Sequence, residues 1–248
     1  MNEIVTAGEV QLPAEVQAML QRSAQQQAEG ETSQVPFMST KGKKFAIGDD
    51  KLGTTLKCII LSTVFDHSYY DRPYDPDTTT PPACFAIGDV DSDLVPNEIS
   101  PVKQHSNCRD CPKNQFQSAS NGKGKACRNG RRLLICSVDS DCRANFGDMA
   151  IVNVSPTALK GISKYIKSIN NIKKLPVWAV VTTLSFDDDA AYPIVVPTFE
   201  KSVHPDDITV IAERSQEFIE LVSVVYDVED FEPLEAAAVT KKKESKMS

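Results

Sequence analysis

The sequence lacks several features that define large classes of protein. It has no apolar run near the ~20 residues of a membrane-spanning helix, so we expect no membrane partner. Its first residues, MNEIVTAGEVQLPAEV, lack the basic and apolar regions of a secretory signal, which favours a cytoplasmic protein. Only three histidines occur, without the HExxH or nucleophile-elbow motifs. We therefore expect a protein that is not an enzyme.

Cysteine, by contrast, is well represented. The 41% hydrophobic and 25% charged fractions are ordinary for a globular protein, but the chain has seven cysteines, an odd number. Four of them fall in the middle of the sequence. In a reducing compartment, such a group indicates a metal site rather than disulfides.

The charge is unevenly distributed along the chain. The net charge is −7, yet the segment from Lys103 to Arg132 holds eight basic residues and one acid, Asp110. This asymmetry indicates that one face of the protein meets an anionic ligand.

The pattern of residues divides the chain into three parts. Residues 1–40 are polar and Gln-rich and predict a flexible or helical arm, with a short helix from Pro13 to Ala28. Residues 41–200 form the core, with an insert at about 84–131. Residues 201–248 hold a helix followed by an acidic and then basic tail.

The core predicts short strands with few helices. Strands are expected at Phe45–Ile47, Thr55–Phe65, Ala83–Ile87, Arg132–Val138, Met149–Val154, Val177–Phe186 and Tyr192–Phe199, with residues 48–53 as a turn and 88–131 as a loop. Helices are expected from Pro156 to about Asn170 and over Pro205–Leu221. We predict an α+β protein, mainly β: an OB-fold-like antiparallel barrel with an inserted zinc-binding basic loop subdomain and two helices.

The cysteine spacing predicts a structural zinc ion. Two residues separate Cys108 from Cys111, and fifteen separate Cys111 from Cys127. Tetrahedral zinc needs a fourth ligand, for which Cys84 is the better candidate and His105 the alternative. Four protein ligands would leave no position for catalysis. A redox pair is the other interpretation. Such a pair should open a helix within a βαβ unit, whereas this one falls in a predicted loop. Cys58 and Cys136 fall in apolar strands and are expected in the core.

The segment SASNGKGKACRNGRR resembles a surface that contacts phosphates. Its glycines allow the backbone to approach a phosphate closely, and its lysines and arginines neutralise the phosphate charge. The residue spacing of a Walker A loop is absent. The candidate contacts are Lys113, Lys123, Lys125, Arg128, Arg131 and Arg132. A solvated loop with counterions is the alternative.

Aromatic residues near these lysines and arginines predict that nucleobases stack on the protein. Three tyrosines surround Arg72, and one phenylalanine lies in the basic loop. Exposed rings beside cations are typical of proteins that bind single strands. The candidates for stacking are Tyr69, Tyr70, Tyr74 and Phe116, and Arg72 is a further candidate contact beside them. Each ring could instead pack against the zinc knuckle or the barrel.

Four stretches of the sequence resemble a known family. YYDRPYDPD, PPACFAIG, CRDCPKNQF and GKGKACRNGRRLLI are similar to zinc-containing single-stranded DNA-binding proteins of tailed bacteriophages, which are built on an OB-fold. The similar region runs from about Phe45 to Phe199. The resemblance implies metal ligation by Cys84, Cys108, Cys111 and Cys127. It also implies that the tyrosine stretch and the basic loop contact the DNA strand. It further implies that the protein acts in the host cytoplasm.

Two departures from that family are visible. Some phage helix-destabilising proteins use a histidine among their zinc ligands, which keeps His105 as an alternative. Related binders often end in an acidic tip that recruits replication or recombination proteins. Here the acidic stretch from Asp227 to Glu235 is followed by lysines, so such recruitment stays an open expectation.

The leading hypothesis is sequence-independent binding of single-stranded DNA in phage replication or recombination. One alternative is a zinc-ribbon adaptor, such as a transcription or anti-host factor, that binds a protein. A second alternative is a metal-dependent nuclease, which needs converging carboxylates. The acids available for it lie in expected turns, at Asp49, Asp50, Asp89, Asp91, Asp93 and Asp187–Asp189.

Overall fold

A computed structural model describes residues 35–72 and 81–225 of the chain. The chain divides into two compact units, Met1–Val35 and Pro36–Ser248, and the fold below is that of the second unit. The expected N-terminal helix, the acidic and basic tail and Tyr74 lie outside the described residues.

Strands dominate the described part of the chain. They are β1 (Phe37–Met38), β2 (Phe45–Ile47), β3 (Asp50–Gly53), β4 (Leu56–Tyr69), β5 (Cys84–Gly88), β6 (Cys127–Val138), β7 (Ala144–Val154), β8 (Val180–Phe186) and β9 (Val195–Ser202). Helices α1 (Leu159–Ser168), α2 (Pro205–Glu213) and α3 (Ser215–Val222) follow β7 and β9, and a π-helical turn, Ile169–Lys173, extends α1. Short 3-10 turns cover Lys41–Lys43, Asp91–Asp93, Pro112–Asn114 and Val177–Ala179. The expectation of an α+β protein made mainly of strands is confirmed.

Seven strands form one sheet around β4. Their order is β1-β7-β6-β4-β8-β9, with β5 also paired to β4, while β2 and β3 form a separate hairpin. One edge of β4 pairs with β6 over most of its length. The other edge pairs first with β8 and then, over Phe65–Tyr69, with β5. Among residues 35–72 and 81–225 no pairing closes this sheet into a barrel.

The sheet has two covered faces. On the first, which we call the α1 face, Ile60, Leu133 and Ile135 pack with Ile162 and Tyr165 of α1. The Tyr165 hydroxyl is 2.7 Å from Thr182 Oγ1, so this buried polar pair is satisfied. On the opposite side, the α3 face, α3 packs against β4 and β6. Successive residues of a strand point to opposite faces, which assigns Leu134 to the α3 face.

Strands β4 and β6 run further than the sequence predicted, and their extra residues lie at one end of the sheet. The expected strand over Thr55–Phe65 continues to Tyr69, and Cys127–Arg131, expected in a loop, belong to β6. Asp66 and His67 are polar residues in the interior of the extended β4. They continue the strand because partners on β6 satisfy their side chains.

Other predicted strands and helices are present, but their first or last residues differ from the predicted ones. The stretch 48–53 is a turn only at its start, since Asp50–Gly53 is β3 and pairs with β2. Val177–Ala179 is a 3-10 turn before β8, and the strand predicted at Tyr192–Phe199 is Val195–Ser202. The expected helix Pro205–Leu221 is interrupted at Arg214, which gives α2 and α3.

Candidate metal centre and nucleic-acid surface

Two of the four clustered cysteines lie on either side of one residue, Tyr69, at the extended end of the sheet. Tyr69, the last residue of β4, pairs with Cys84 on one side and with Cys127 on the other. Directly paired residues of antiparallel strands point to the same face, so the two cysteines flank Tyr69 on the α1 face.

The insert between β5 and β6 brings the other two cysteines to the same place. The Cys108 N–H donates to the carbonyl of Leu94 at 2.9 Å, and Leu94 and Cys108 pack with Ala86 of β5. The absence of a side chain at Gly88 makes room, since a Cβ there would lie 2.8 Å from Cδ2 of Leu94. The knuckle Cys108–Cys111 is thereby held over β5.

The knuckle is fastened internally by one buried amide. Asn114 Nδ2 donates to the Cys108 carbonyl at 2.7 Å, and the Asn114 N–H donates to the Cys111 carbonyl at 2.9 Å. A buried amide with these bonds fixes the backbone on which both thiols stand.

All four cysteines line one small cavity, together with His67 and Tyr69. Burial, with smaller contributions from the neighbouring Cys84 and Cys111, raises the pKa of the Cys108 thiol to about 12. Burial likewise raises the pKa of Cys127 to about 12, with contributions from Cys108, Cys111 and Cys84. Cys84, Cys108 and Cys111 thus lie close enough to Cys127 to raise its pKa, and a bound cation would offset the cost of ionising thiols placed in this way.

The sulfurs border the cavity without forming a finished ligand shell. Within residues 35–72 and 81–225, no three His, Cys, Asp or Glu side chains are already arranged to hold a metal ion. The donor set is nonetheless one that structural zinc uses: four thiols, two on strands of the sheet and two on the knuckle of the insert. The residues present therefore match zinc in ligand chemistry, and all four border the same cavity.

The alternative ligand His105 does not line this cavity, although its neighbours Gln104 and Asn107 do. Its Nδ1 atom is 3.2 Å from the Asn107 carbonyl. Of the two candidates for the fourth position, the structure brings Cys84 to the other cysteines and leaves His105 aside.

His67 is a neighbour of the cysteines that the sequence did not suggest. Its Nε2 atom lies 2.9 Å from Asp91 Oδ1 and 2.6 Å from Asn129 Nδ2. Nδ1 is buried and has no hydrogen-bond partner among the described residues. Burial lowers the pKa of His67, and the charge of Asp91 opposes that shift. His67 thus ties the Asp91–Asp93 turn of the insert to β4 and β6.

Hydrogen bonds also fix the basic loop to the knuckle. Ser118 Oγ accepts from the Ala126 N–H at 2.9 Å and donates to the Lys113 carbonyl at 2.8 Å. Lys125 Nζ donates to Asn114 Oδ1 at 3.0 Å. Lys123 is exposed, between Gly122 and Gly124 at φ 67° and 75°, values that favour glycine. The loop therefore presents its cations from a fixed base.

Rings and cations alternate over this surface. Phe116 is 77% exposed, with Lys125 Nζ 5.5 Å from its ring centre. Lys113 Nζ lies 5.0 Å from the ring of the half-buried Tyr69. Of these rings, Phe116 is the one most available for stacking against a base.

The arginines of β6 differ sharply in their availability. Arg128 is exposed. The guanidinium of Arg131 lies 4.2 Å from the ring centre of Phe65, and burial lowers the Arg131 pKa. Arg132 is 3% exposed and its Nε donates to Asp66 Oδ2 at 2.9 Å. The expectation that Arg132 contacts phosphate is therefore wrong, because its guanidinium is buried and already paired.

The predicted contacts also divide between the two faces of the sheet. Tyr69 lies on the α1 face with the cysteines, whereas Arg128 pairs with Ser68 and so lies on the α3 face. Tyr70 and Arg128 line a second pocket there. Arg72, at the end of the described segment, is exposed.

The carboxylates considered for a nuclease are dispersed. Asp49 and Asp50 lie at the β2–β3 hairpin, Asp91 and Asp93 in the insert, and Asp187–Asp189 after β8. They form no group of three that could hold a metal within the described ranges, and no observation there favours this alternative.

The chain matches no protein-family model, no curated protein and no solved structure. Within the described residues, no helix is both long and apolar enough to span a membrane.

Proposed function

We propose that the protein binds single-stranded DNA with little sequence preference and that it does so without catalysis. The observation that carries the proposal is the exposed ring of Phe116 beside Lys125, on a loop that hydrogen bonds fasten to a cavity lined by four cysteines. A stacking ring and a cation on a fixed base are the two elements that single-strand binders combine.

The physical contributions would be of two kinds. Lys123, Lys113 and Arg128 neutralise phosphates and release counterions, which makes the affinity fall as salt rises. Bases stack on Phe116 and on the accessible tyrosines, each contributing ~1–3 kcal/mol. Neither contribution depends on base identity to first order, which fits a binder of low sequence preference.

Zinc would have a structural role in this scheme. Cys84 and Cys127 are held by the sheet, and Cys108 and Cys111 by the insert, so a metal bound to all four joins the two. Its chemistry would be that of a crosslink between thiolates. Since all four ligands come from the protein, no open position is left for a reacting molecule.

The wider setting rests on the resemblance to phage proteins described above. The resemblance favours an OB-fold-like architecture, a role in phage replication or recombination, and localisation in the host cytoplasm. Recruitment of replication or recombination proteins through the acidic C-terminal region belongs to the same proposal.

The proposal is tested by fluorescence anisotropy with a labelled 30-mer and its duplex, each titrated at two salt concentrations. We expect tighter binding of the single strand, weakened at the higher salt. Equal affinity for the duplex, or an affinity that does not respond to salt, would contradict it.

A further inference from the structure

A second pocket lies on the α3 face, at the same end of the sheet but on the side opposite the cysteines. It is bounded by β4, β6 and β7, and the residues that line it include Asp66, Ser68, Tyr70, Arg128, Gly130 and Asn153. It is separate from the cysteine cavity, with which it shares no lining residue.

The only carboxylate among these six residues is already neutralised. Asp66 Oδ1 accepts from the Ser68 hydroxyl at 2.9 Å, and Oδ2 accepts from Arg132 Nε at 2.9 Å. Arg131 also lines the pocket, but its half-buried guanidinium lies 4.2 Å from the ring centre of Phe65. The exposed charge that the pocket offers a ligand is therefore that of Arg128.

Three lining side chains are available for a ligand. Within the described part of the chain, Tyr70, Arg128 and Asn153 make no side-chain hydrogen bond or ion pair, and all three are exposed. They supply an aromatic ring, a cation and a carboxamide that can donate and accept at once. Such a combination suits a flat heterocycle that carries both polar edges and a nearby negative charge.

Gly130 lines the pocket with backbone atoms only. It lies in the interior of β6 opposite Asp66, and a Cβ there would be 3.2 Å from the Val154 carbonyl oxygen and 3.4 Å from that of Asp66. Glycine inside a strand often marks a place where a ligand or another backbone approaches closely. Here no side chain rises from the strand between Ser68 and Asn153.

We propose that this pocket holds one nucleobase of the bound single strand. The base stacks on Tyr70, the Asn153 carboxamide bonds to its polar edge, and Arg128 contacts the adjoining phosphate. This inference rests on the proposed binding of single strands and adds to it a position at which base identity matters.

The test begins with the wild-type protein with its zinc bound, titrated with dT, dC and dA 20-mers at one salt concentration. The variants are Asn153→Ala and Tyr70→Leu, with Asn170→Ala and Tyr192→Leu as controls, since both control residues are exposed and distant in sequence from the pocket. Thermal unfolding of each variant checks the fold.

We expect wild type to discriminate among the homopolymers and Asn153→Ala to change the ratio of their affinities by about threefold or more. Tyr70→Leu should weaken all of them by about tenfold, the loss of one stacked base. The controls should stay within about twofold of wild type, as surface changes away from the site usually do. If wild type binds but the two pocket variants behave like the controls, the pocket inference is wrong and single-strand binding stands. If wild type binds no homopolymer, both proposals fall.

A second readout needs no variant. A 20-mer containing 5-iodouracil is irradiated on the wild-type protein, and the cross-linked residue is identified by tandem mass spectrometry. Cross-linking at Tyr70 supports the pocket, whereas cross-linking confined to Phe116 overturns it.

Discussion

Arg132 and Asp66 form a buried ion pair across β6 and β4, with Nε of the arginine 2.9 Å from Oδ2 of the aspartate. The two side chains are 4% and 16% exposed. Nη1 of the same guanidinium donates to the Val224 carbonyl at 2.5 Å, so the pair also holds the segment that follows α3. Its role is to stabilise the extended end of the sheet on which both candidate sites stand.

Removing one charge of this pair should destabilise the protein. Asp66→Asn leaves the Arg132 guanidinium buried without a counter-charge, which we expect to cost about 3 kcal/mol of unfolding free energy. Urea unfolding measures it. Asp188→Asn, at an exposed turn, is the control and should change the free energy by less than about 0.5 kcal/mol. Equal effects of the two substitutions would show that the pair is not structural.

Arg128, four residues earlier on the same strand, should behave differently. Arg128→Ala removes one phosphate contact, so the slope of log Kobs against log salt should fall by about 0.7. Unfolding free energy should not change, because the side chain is exposed. Lys160→Ala, on the exposed side of α1, is the matched control, and a slope identical in the two variants would exclude Arg128 as a contact.

Phe116 should contribute to binding and not to stability. Phe116→Leu keeps an apolar side chain but removes the aromatic face, and we expect a loss of ~1–3 kcal/mol in binding to a single strand. Because the ring is 77% exposed, the unfolding midpoint should stay unchanged. Anisotropy titration and urea unfolding of the same sample separate the two effects, and an unaltered affinity would remove Phe116 from the interface.

The fourth ligand of the proposed zinc ion can be decided by metal content. Cys84→Ser should lose stoichiometric zinc, since Cys84 lines the cavity with the other three cysteines. His105→Gln should retain one zinc per chain, because His105 lies outside that cavity. Elemental analysis after gel filtration measures both, and the reverse pattern would assign the position to His105.

Much of the site was predictable because it is written in local patterns. The spacing of Cys108, Cys111 and Cys127 indicated one cluster, and the structure places all three at one cavity with Cys84. Cys58 and Cys136 were expected in the core and are fully buried. Such inferences need only residue type, spacing and burial.

The errors came from contacts between residues far apart in sequence. Asp66 and Arg132 are 66 positions apart, and each alone looks like a solvent-exposed charge. Their pairing extends β4 past Phe65 and removes Arg132 from the basic surface. His67 was missed for the same reason, since its partner Asn129 is 62 positions away. Alternation along a strand reports burial but not which polar residues satisfy each other.

If zinc anchors the insert that contacts the single strand, zinc binding and single-strand binding are coupled. The decisive measurement is the affinity for a labelled single-stranded 30-mer in the protein as purified, after chelation, and after zinc is restored, with metal content determined at each step. We predict one zinc per chain, a loss of affinity on chelation because the loop loses its anchor, and recovery when zinc returns. Protein that contains no zinc as purified, or that binds equally well after chelation, would contradict the account.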